Sequence, residues 1–256
     1  MQSQIRYIFM QQKEWYEEWF DSEYYHILYQ HRDDSDAQLL IDNLYDYLEL
    51  KNDDFVADIA CGKGRHAILL NQKNLRVIGT DLSENSIAFA KQFSNKTLQF
   101  EVNDMRNPLP YQFDVLFNLF TSFGYFNCHD ENLTVLHSFK KMLKPEGYFV
   151  IDFFNANKVA SSLIQNESIT LQNIQFNLTR NIRNECIVKE IDFCVNDKNH
   201  HYEERVQLLT LQNFEQLFEW ASMEIKAVFG NYELEPFDEN LSDRLILIGK
   251  HKIQKQ

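Results

Sequence analysis

The stretch Asp58-Ile59-Ala60-Cys61-Gly62-Lys63-Gly64 constrains this chain more than any other. An apolar run, Phe55 to Ala60, stops in a turn of small residues and passes into a helix-like segment, Arg65 to Leu70. Strand, glycine turn and helix in succession let a ligand approach bare backbone and the positive end of the helix. Further on, a second apolar run, Arg76 to Thr80, ends in Asp81, whose carboxylate can accept from both hydroxyls of a ribose. The two features together point to a nucleoside-containing cofactor.

Around that unit the chain alternates. Leu98 to Val102, Phe113 to Phe120 and Tyr148 to Phe154 read as strands, the last preceded by the turn Lys144-Pro145-Glu146-Gly147. Arg65 to Asn71, Asn85 to Phe93 with the cap candidate Ser83, and His129 to Leu143 read as helices. Such alternation predicts an α/β fold with a parallel sheet covered by helices on both faces. Before the first strand, Trp15 and Trp19 lie one helical turn apart, as do Tyr25 and Tyr29, within Lys13 to Tyr29; Ala37 to Leu48 repeats apolar residues at three and four. Two helices are therefore expected ahead of the sheet, with Trp15, Trp19, Phe20 and Tyr24 on an apolar face that packs against it.

After Phe154 the period changes. Ser168 to Asn184, Cys186 to Val195 and Tyr202 to Leu209 alternate with period two and predict an inserted antiparallel sheet. No Gly or Pro occurs from Phe149 to Phe229, so its turns must use Asn, Asp and Lys, as at Asn196-Asp197-Lys198-Asn199. A helix, Leu211 to Ala221, and two strands, Glu224 to Gly230 and Arg244 to Lys250, close the chain. The link between those strands is too short for a crossover helix, so they are expected to be antiparallel neighbours. The resulting division is an N-terminal helical cover at 1–50, a core at 51–156 and 210–256, and a β insertion at 157–209.

A formal charge of -13 and a pI near 5.0 predict a surface that repels phosphate backbones, which argues against a nucleic-acid partner. Cys61, Cys128, Cys186 and Cys194 form no CxxC pair and no Cys/His cluster, so neither a metal centre nor a disulfide framework is indicated. No apolar run reaches membrane-spanning length and no export signal is recognisable, so a cytoplasmic protein without a membrane partner is expected.

The chain resembles the class I S-adenosylmethionine-dependent methyltransferases. The likeness rests on Asp58 to Gly64 as cofactor loop, Asp81, Asn103-Asp104-Met105, Phe113 to Phe120 and Leu143-Lys144-Pro145-Glu146-Gly147. It implies a Rossmann-like, seven-stranded, mostly parallel sheet whose last strand is antiparallel, with the β insertion after the fifth strand. One departure is Ala60, where the family often has Gly. The resemblance implies that S-adenosylmethionine lies along Asp58, Ala60, Gly62 and Gly64, that Asp81 holds the ribose, and that Leu82 and Met105 flank the adenine. It also implies that Asp104 accepts from the adenine amino group, and that Asn118 and Leu119 meet the methionine end and border the acceptor. The aromatic N-terminus and the β insertion look like those of glycine or amino-sugar N-methyltransferases, which implies a cover formed by Tyr25, Tyr29 and Arg32, with Arg32 facing the cofactor carboxylate.

Gly62-Lys63-Gly64-Arg65-His66-Ala67 also satisfies the looser pattern of dinucleotide-binding loops, but a pyrophosphate is repelled by Asp58. The expected reaction is direct methyl transfer to a small molecule; methylation of RNA or protein, or a non-catalytic cofactor-binding module, are the alternatives, in a monomer or homodimer. Tyr125, Asn118 and His201 are the acceptor-pocket candidates, with Phe123 and Phe126 either pocket or core, and no residue stands out as a general base.

Overall fold

The computed structural model describes residues 14–30, 34–126 and 128–252. Seven strands form one sheet: β1 (Phe55–Ile59), β2 (Arg76–Asp81), β3 (Leu98–Val102), β4 (Phe113–Asn118), β5 (Leu143–Phe154), β10 (Met223–Phe229) and β11 (Arg244–His251). Their order is β10-β11-β5-β4-β1-β2-β3, and β11 runs antiparallel to both of its neighbours. β1 and β4 are buried along almost their whole length, as apolar runs in a parallel sheet covered on both faces must be.

Helices α3 (Asp34–Tyr47), α4 (Arg65–Gln72) and α5 (Glu84–Ala90) bury Leu40, Leu44, Leu70 and Ile87 on one face of the sheet. On the other face, α6 (His129–Met142) and α8 (Leu211–Trp220) bury Val135, Phe139, Phe214 and Leu217. Ser83 caps α5 as expected, accepting from the Ser86 amide, and Thr210 opens α8 with a capping box that the sequence reading did not anticipate. Strand order reverses between β1 and β4, which opens a crevice at the carboxyl ends of the parallel strands.

The insertion is a separate four-stranded antiparallel sheet of β6 (Asn166–Leu171), β7 (Ile174–Arg183), β8 (Cys186–Val195) and β9 (Lys198–Gln207). Its three turns, Gln172-Asn173, Asn184-Glu185 and Asn196-Asp197, each place two residues at positive φ. That is the mirror-image turn geometry matching strand twist, achieved without glycine. The period-two run from Ser168 to Asn184 folds back at Gln172-Asn173 because Asn tolerates the left-handed region. A short helix, α7 (Ala156–Ser161), capped by Asn155, leads into the sheet where no helix was expected.

The N-terminal segment also differs from expectation. Two short helices, α1 (Trp15–Trp19) and α2 (Glu23–Leu28), replace one, so among the described residues three helices precede β1. The break falls at Asp21-Ser22: Ser22 accepts from the Tyr25 amide to start α2. Asp21 reaches the start of α5, accepting from Ser83 Oγ at 2.6 Å and Asn85 Nδ2 at 2.9 Å. Trp19 and Leu28 are buried not on the main sheet but against Phe176, Leu178, Ile191 and Phe193 of the inserted one.

Candidate active site

One cavity of about 460 Å³ lies at the carboxyl ends of β1 to β4, within the size range of small-molecule sites. Its first wall comes from the main sheet. β1 ends in a turn where Ala60 and Gly62 take φ of 61° and 55°, and no atom lies within 4 Å of where a Gly62 Cβ would stand. Ala60 holds a left-handed conformation at about 1 kcal/mol, which is why glycine is common at such a position. Gly64 has a different reason to lack a side chain. With φ of 86° it caps α4, and a Cβ there would stand 2.7 Å from the Phe100 ring. It serves packing and does not line the cavity.

Asp81 closes the turn from β2. Its carboxylate accepts from the Gly62 amide at 2.8 Å and the Ser83 amide at 2.9 Å, with lone pairs left for further donors. Burial raises its pKa, and those backbone donors oppose the rise. Leu82, Asn103, Asp104 and Met105 continue this wall. Asp104 is held by Arg106, whose Nη2 donates at 2.6 Å; Arg106 in turn reaches Glu131 and lies over the Phe126 ring. The base of the loop is Asp58, fully buried, with Oδ2 unpartnered. Burial pushes its pKa up to about 7, against the lowering effect of the Ala67 amide.

The opposite wall is the cover. Tyr16, Glu17, Phe20, Tyr25 and Tyr29 from α1 and α2 face the cavity, with Phe20 edge-on to both Tyr25 and Tyr125. The inserted sheet contributes no lining residue; it holds the cover from behind. On β9, Glu204 accepts from Trp19 Nε1 at 2.6 Å and from Tyr29 Oη at 2.8 Å, and Lys189 of β8 sits 3.3 Å from the same carboxylate.

Between the walls runs the loop after β4, which supplies Leu119, Phe120, Ser122, Tyr125 and Phe126. β4 stops before Phe120 because Phe120 and Thr121 both take positive φ, 60° and 59°, a strained state at ~1–2 kcal/mol per residue. The Tyr125 hydroxyl is tied to the Thr121 carbonyl, and Gln207 at the end of β9 holds the far end of the loop through the Gly124 and Phe126 carbonyls.

Of the residues singled out from sequence, Tyr25, Ala60, Gly62, Asp81, Leu82, Asp104, Met105, Leu119 and Tyr125 meet in this cavity. Arg32 lies outside the described residues. Asp58 supports the loop from beneath. Asn118 is buried and spends its amide on the Ile59 carbonyl, joining β4 to β1, and does not face the cavity. His201 is exposed on β9 and paired with Asp192, because its neighbours Tyr202 and Glu204, not it, point toward the cover. Phe126 lines the cavity, whereas Phe123 is wholly core. Lys63, Arg65, His66 and Phe120 were missed. Arg65, Lys63 and His66 flank the glycines, so adjacency to the loop was the available signal; Phe120 gave none.

Among the described residues no group of three or more His, Cys, Asp or Glu is placed to hold a metal ion, and no helix is long and apolar enough to cross a membrane.

A family model described as a methyltransferase domain matches residues 50–219. The putative methyltransferase YqeM of Bacillus subtilis is 33% identical over 109 residues, 41% of this chain and 44% of that protein, so the match spans less than half the relative's length. Among solved structures, an S-adenosylmethionine-dependent methyltransferase from Clostridium acetobutylicum superposes with a TM-score of 0.76 at 18% identity, covering 89% of this chain and 96% of that one. The sugar N-methyltransferase KedS8 from a Streptoalloteichus species gives 0.68 at 16% identity, covering 90% and 93%. At such identities the likeness is one of fold. The chain belongs to the methyltransferase-domain family, and its fold is that of the class I S-adenosylmethionine-dependent enzymes.

Proposed function

We propose that the chain transfers a methyl group from S-adenosylmethionine to a small-molecule acceptor by direct displacement. The observation that carries this reading is the meeting of the positive-φ turn Ala60–Gly62 with the Asp81 carboxylate in one cavity. The residues fit the group. The bare Gly62 turn leaves room for a chain laid along the backbone, Asp81 keeps acceptor capacity for two hydroxyls, and Leu82 and Met105 offer apolar flanks for a purine. Asp104 remains an acceptor for its amino group, held in place by Arg106.

When bound, the cofactor supplies an electrophilic sulfonium methyl. The chain's own work is alignment and exclusion of water, since well-oriented reactions reach effective molarities of ~10⁵ to 10⁸ M. Phe20, Tyr25, Phe120 and Tyr125 give the cavity an aromatic lining, and aromatic faces favour a cationic group beside them. An amine acceptor has to lose a proton before it can attack; Glu17 on α1 and His66 on α4 are titratable side chains on the cavity wall.

A small acceptor is supported by the aromatic cover, by the acidic charge, and by fold neighbours named as an amino-pentose methyltransferase and a sugar N-methyltransferase. The test is turnover. Incubation with labelled S-adenosylmethionine and panels of amines, amino acids and amino sugars should release S-adenosylhomocysteine with at least one class. Saturable cofactor binding without turnover on any panel, in a lysate extract as well, would leave a non-catalytic binding module. Transfer to RNA or protein instead, with a steep salt dependence for RNA, would replace the small-molecule assignment.

A further inference from the structure

The strain after β4 has a visible counterweight. Asp152, at the end of β5, is wholly buried, and its Oδ2 accepts the Phe120 amide at 2.9 Å while its own carbonyl accepts the Thr121 amide at 2.8 Å. Its Oδ1 takes Arg244 Nε at 2.8 Å, from the first residue of β11. The same guanidinium donates from Nη2 to Thr121 Oγ1 at 3.1 Å and lies over the rings of Phe120 and Tyr232. Both strained residues are thus held at backbone and side chain by one buried ion pair.

We infer that the Asp152–Arg244 pair is a positioning device: it holds Phe120 and Thr121 in the left-handed conformation and so sets the Phe120 ring as a wall of the reaction cavity. Three observations combine in this. A β-branched Thr next to a bulky Phe, both at positive φ, does not persist unless its surroundings over-determine it. The bonds to both backbone amides and to the Thr121 hydroxyl lead to Asp152 or Arg244. The Phe120 ring also meets the Arg65 guanidinium at 5.1 Å, so β11 is connected through one aromatic ring to the helix that follows the glycine loop. A simple structural ion pair would need neither the amide contacts nor the hydroxyl contact. The choice of Arg is also informative, since its rigid planar fork fixes the directions of the carboxylate and hydroxyl contacts; a lysine has the charge without the fork.

The inference rests on the proposed cofactor cavity for its functional part, and its test separates the two. Amide exchange and S-adenosylhomocysteine titration are measured on the full chain and on Arg244→Gln, Arg244→Lys, Phe120→Ala and the double variant Arg244→Gln/Phe120→Ala. The expected result is exchange at Phe120 and Thr121 faster by about tenfold or more in Arg244→Gln, with Val115 to Phe117 unchanged. Affinity falls by about tenfold in Arg244→Gln and in Phe120→Ala, and the double variant is no weaker than Phe120→Ala alone, because the arginine acts through that ring. Arg244→Lys falls between native and Gln, and carries the test if Arg244→Gln does not fold. Unchanged exchange at Phe120 in both arginine variants, or additive losses in the double variant, overturns the inference. Failure of the native chain to bind S-adenosylhomocysteine overturns the cofactor reading, and the exchange comparison then decides the clamp by itself.

Discussion

The strand-end wall of the cavity and the cover wall opposite are built by different physics. The strand-end wall is part of the main core: Ala60, Gly62 and Asp81 end strands that are buried on both faces and pinned by parallel ladders. The cover wall has no core of its own. Its two helices, of five and six residues, are too short to be stable alone and depend on Trp19, Leu28 and the Glu204 cluster for attachment to the inserted sheet. The comparison teaches that one wall is fixed by folding, whereas the other is an attached part whose position depends on a few side chains.

The sharpest way to break that comparison is Trp19→Ala. Deleting a fully buried Trp from a small satellite cluster is expected to remove ~3–5 kcal/mol locally. Amides of α1 and α2 should exchange far faster while those of β1 and β4 keep their protection. Equal acceleration in both regions would show that the cover is part of the main core after all.

A second variant probes beneath the strand-end wall. Burial lifts Asp58 to about 7, so the folded chain binds that proton more tightly than the unfolded one. Native stability is therefore eroded as pH rises from the ordinary carboxylate range to 7, and the loss is complete above 7. Asp58→Asn abolishes that titration. Its stability relative to native, from urea melts, should improve by ~3 kcal/mol between pH 4 and pH 8. A pH-independent difference would mean that Asp58 is not carrying this charge.

Glu204→Gln should cost about 1–3 kcal/mol of cover attachment, because it removes the carboxylate opposite the largely buried Lys189 ammonium, which keeps its contact with the Tyr29 hydroxyl. The smallest effect belongs to His201→Ala: within about 0.5 kcal/mol in stability and no change in cofactor binding, since His201 is exposed on the far face of β9.

The two walls were also unequally legible in the sequence. The strand-end wall is written in local terms: an apolar run, small residues, then a carboxylate at the end of the next run. Hence Ala60, Gly62, Asp81, Asp104 and Met105 were singled out and do meet in one cavity, and the sheet with its antiparallel last strand followed. The cover depends on pairings far apart in sequence, Trp19 with Glu204 and Asp21 with Ser83, for which no local period exists. For that reason one helix was read where Ser22 starts a second, and Trp19 was packed on the wrong sheet, whereas Trp15 and Phe20 do pack against the main core. His201 and Asn118 lie away from the cavity for a related reason. Residue type marked them as functional, but strand parity turned His201 outward, and an inter-strand hydrogen bond took up Asn118. Phe120 was invisible because its role comes from a backbone conformation imposed by Asp152 and Arg244, which are distant in the chain.

The most direct test of the account is a calorimetric titration with S-adenosylmethionine and S-adenosylhomocysteine on the native chain and on Asp81→Ala. Saturable micromolar binding, weakened on the order of 100-fold by loss of a carboxylate that accepts two hydroxyls, is the expected result. No saturation by either compound at millimolar concentration, or equal affinity in Asp81→Ala, would contradict it.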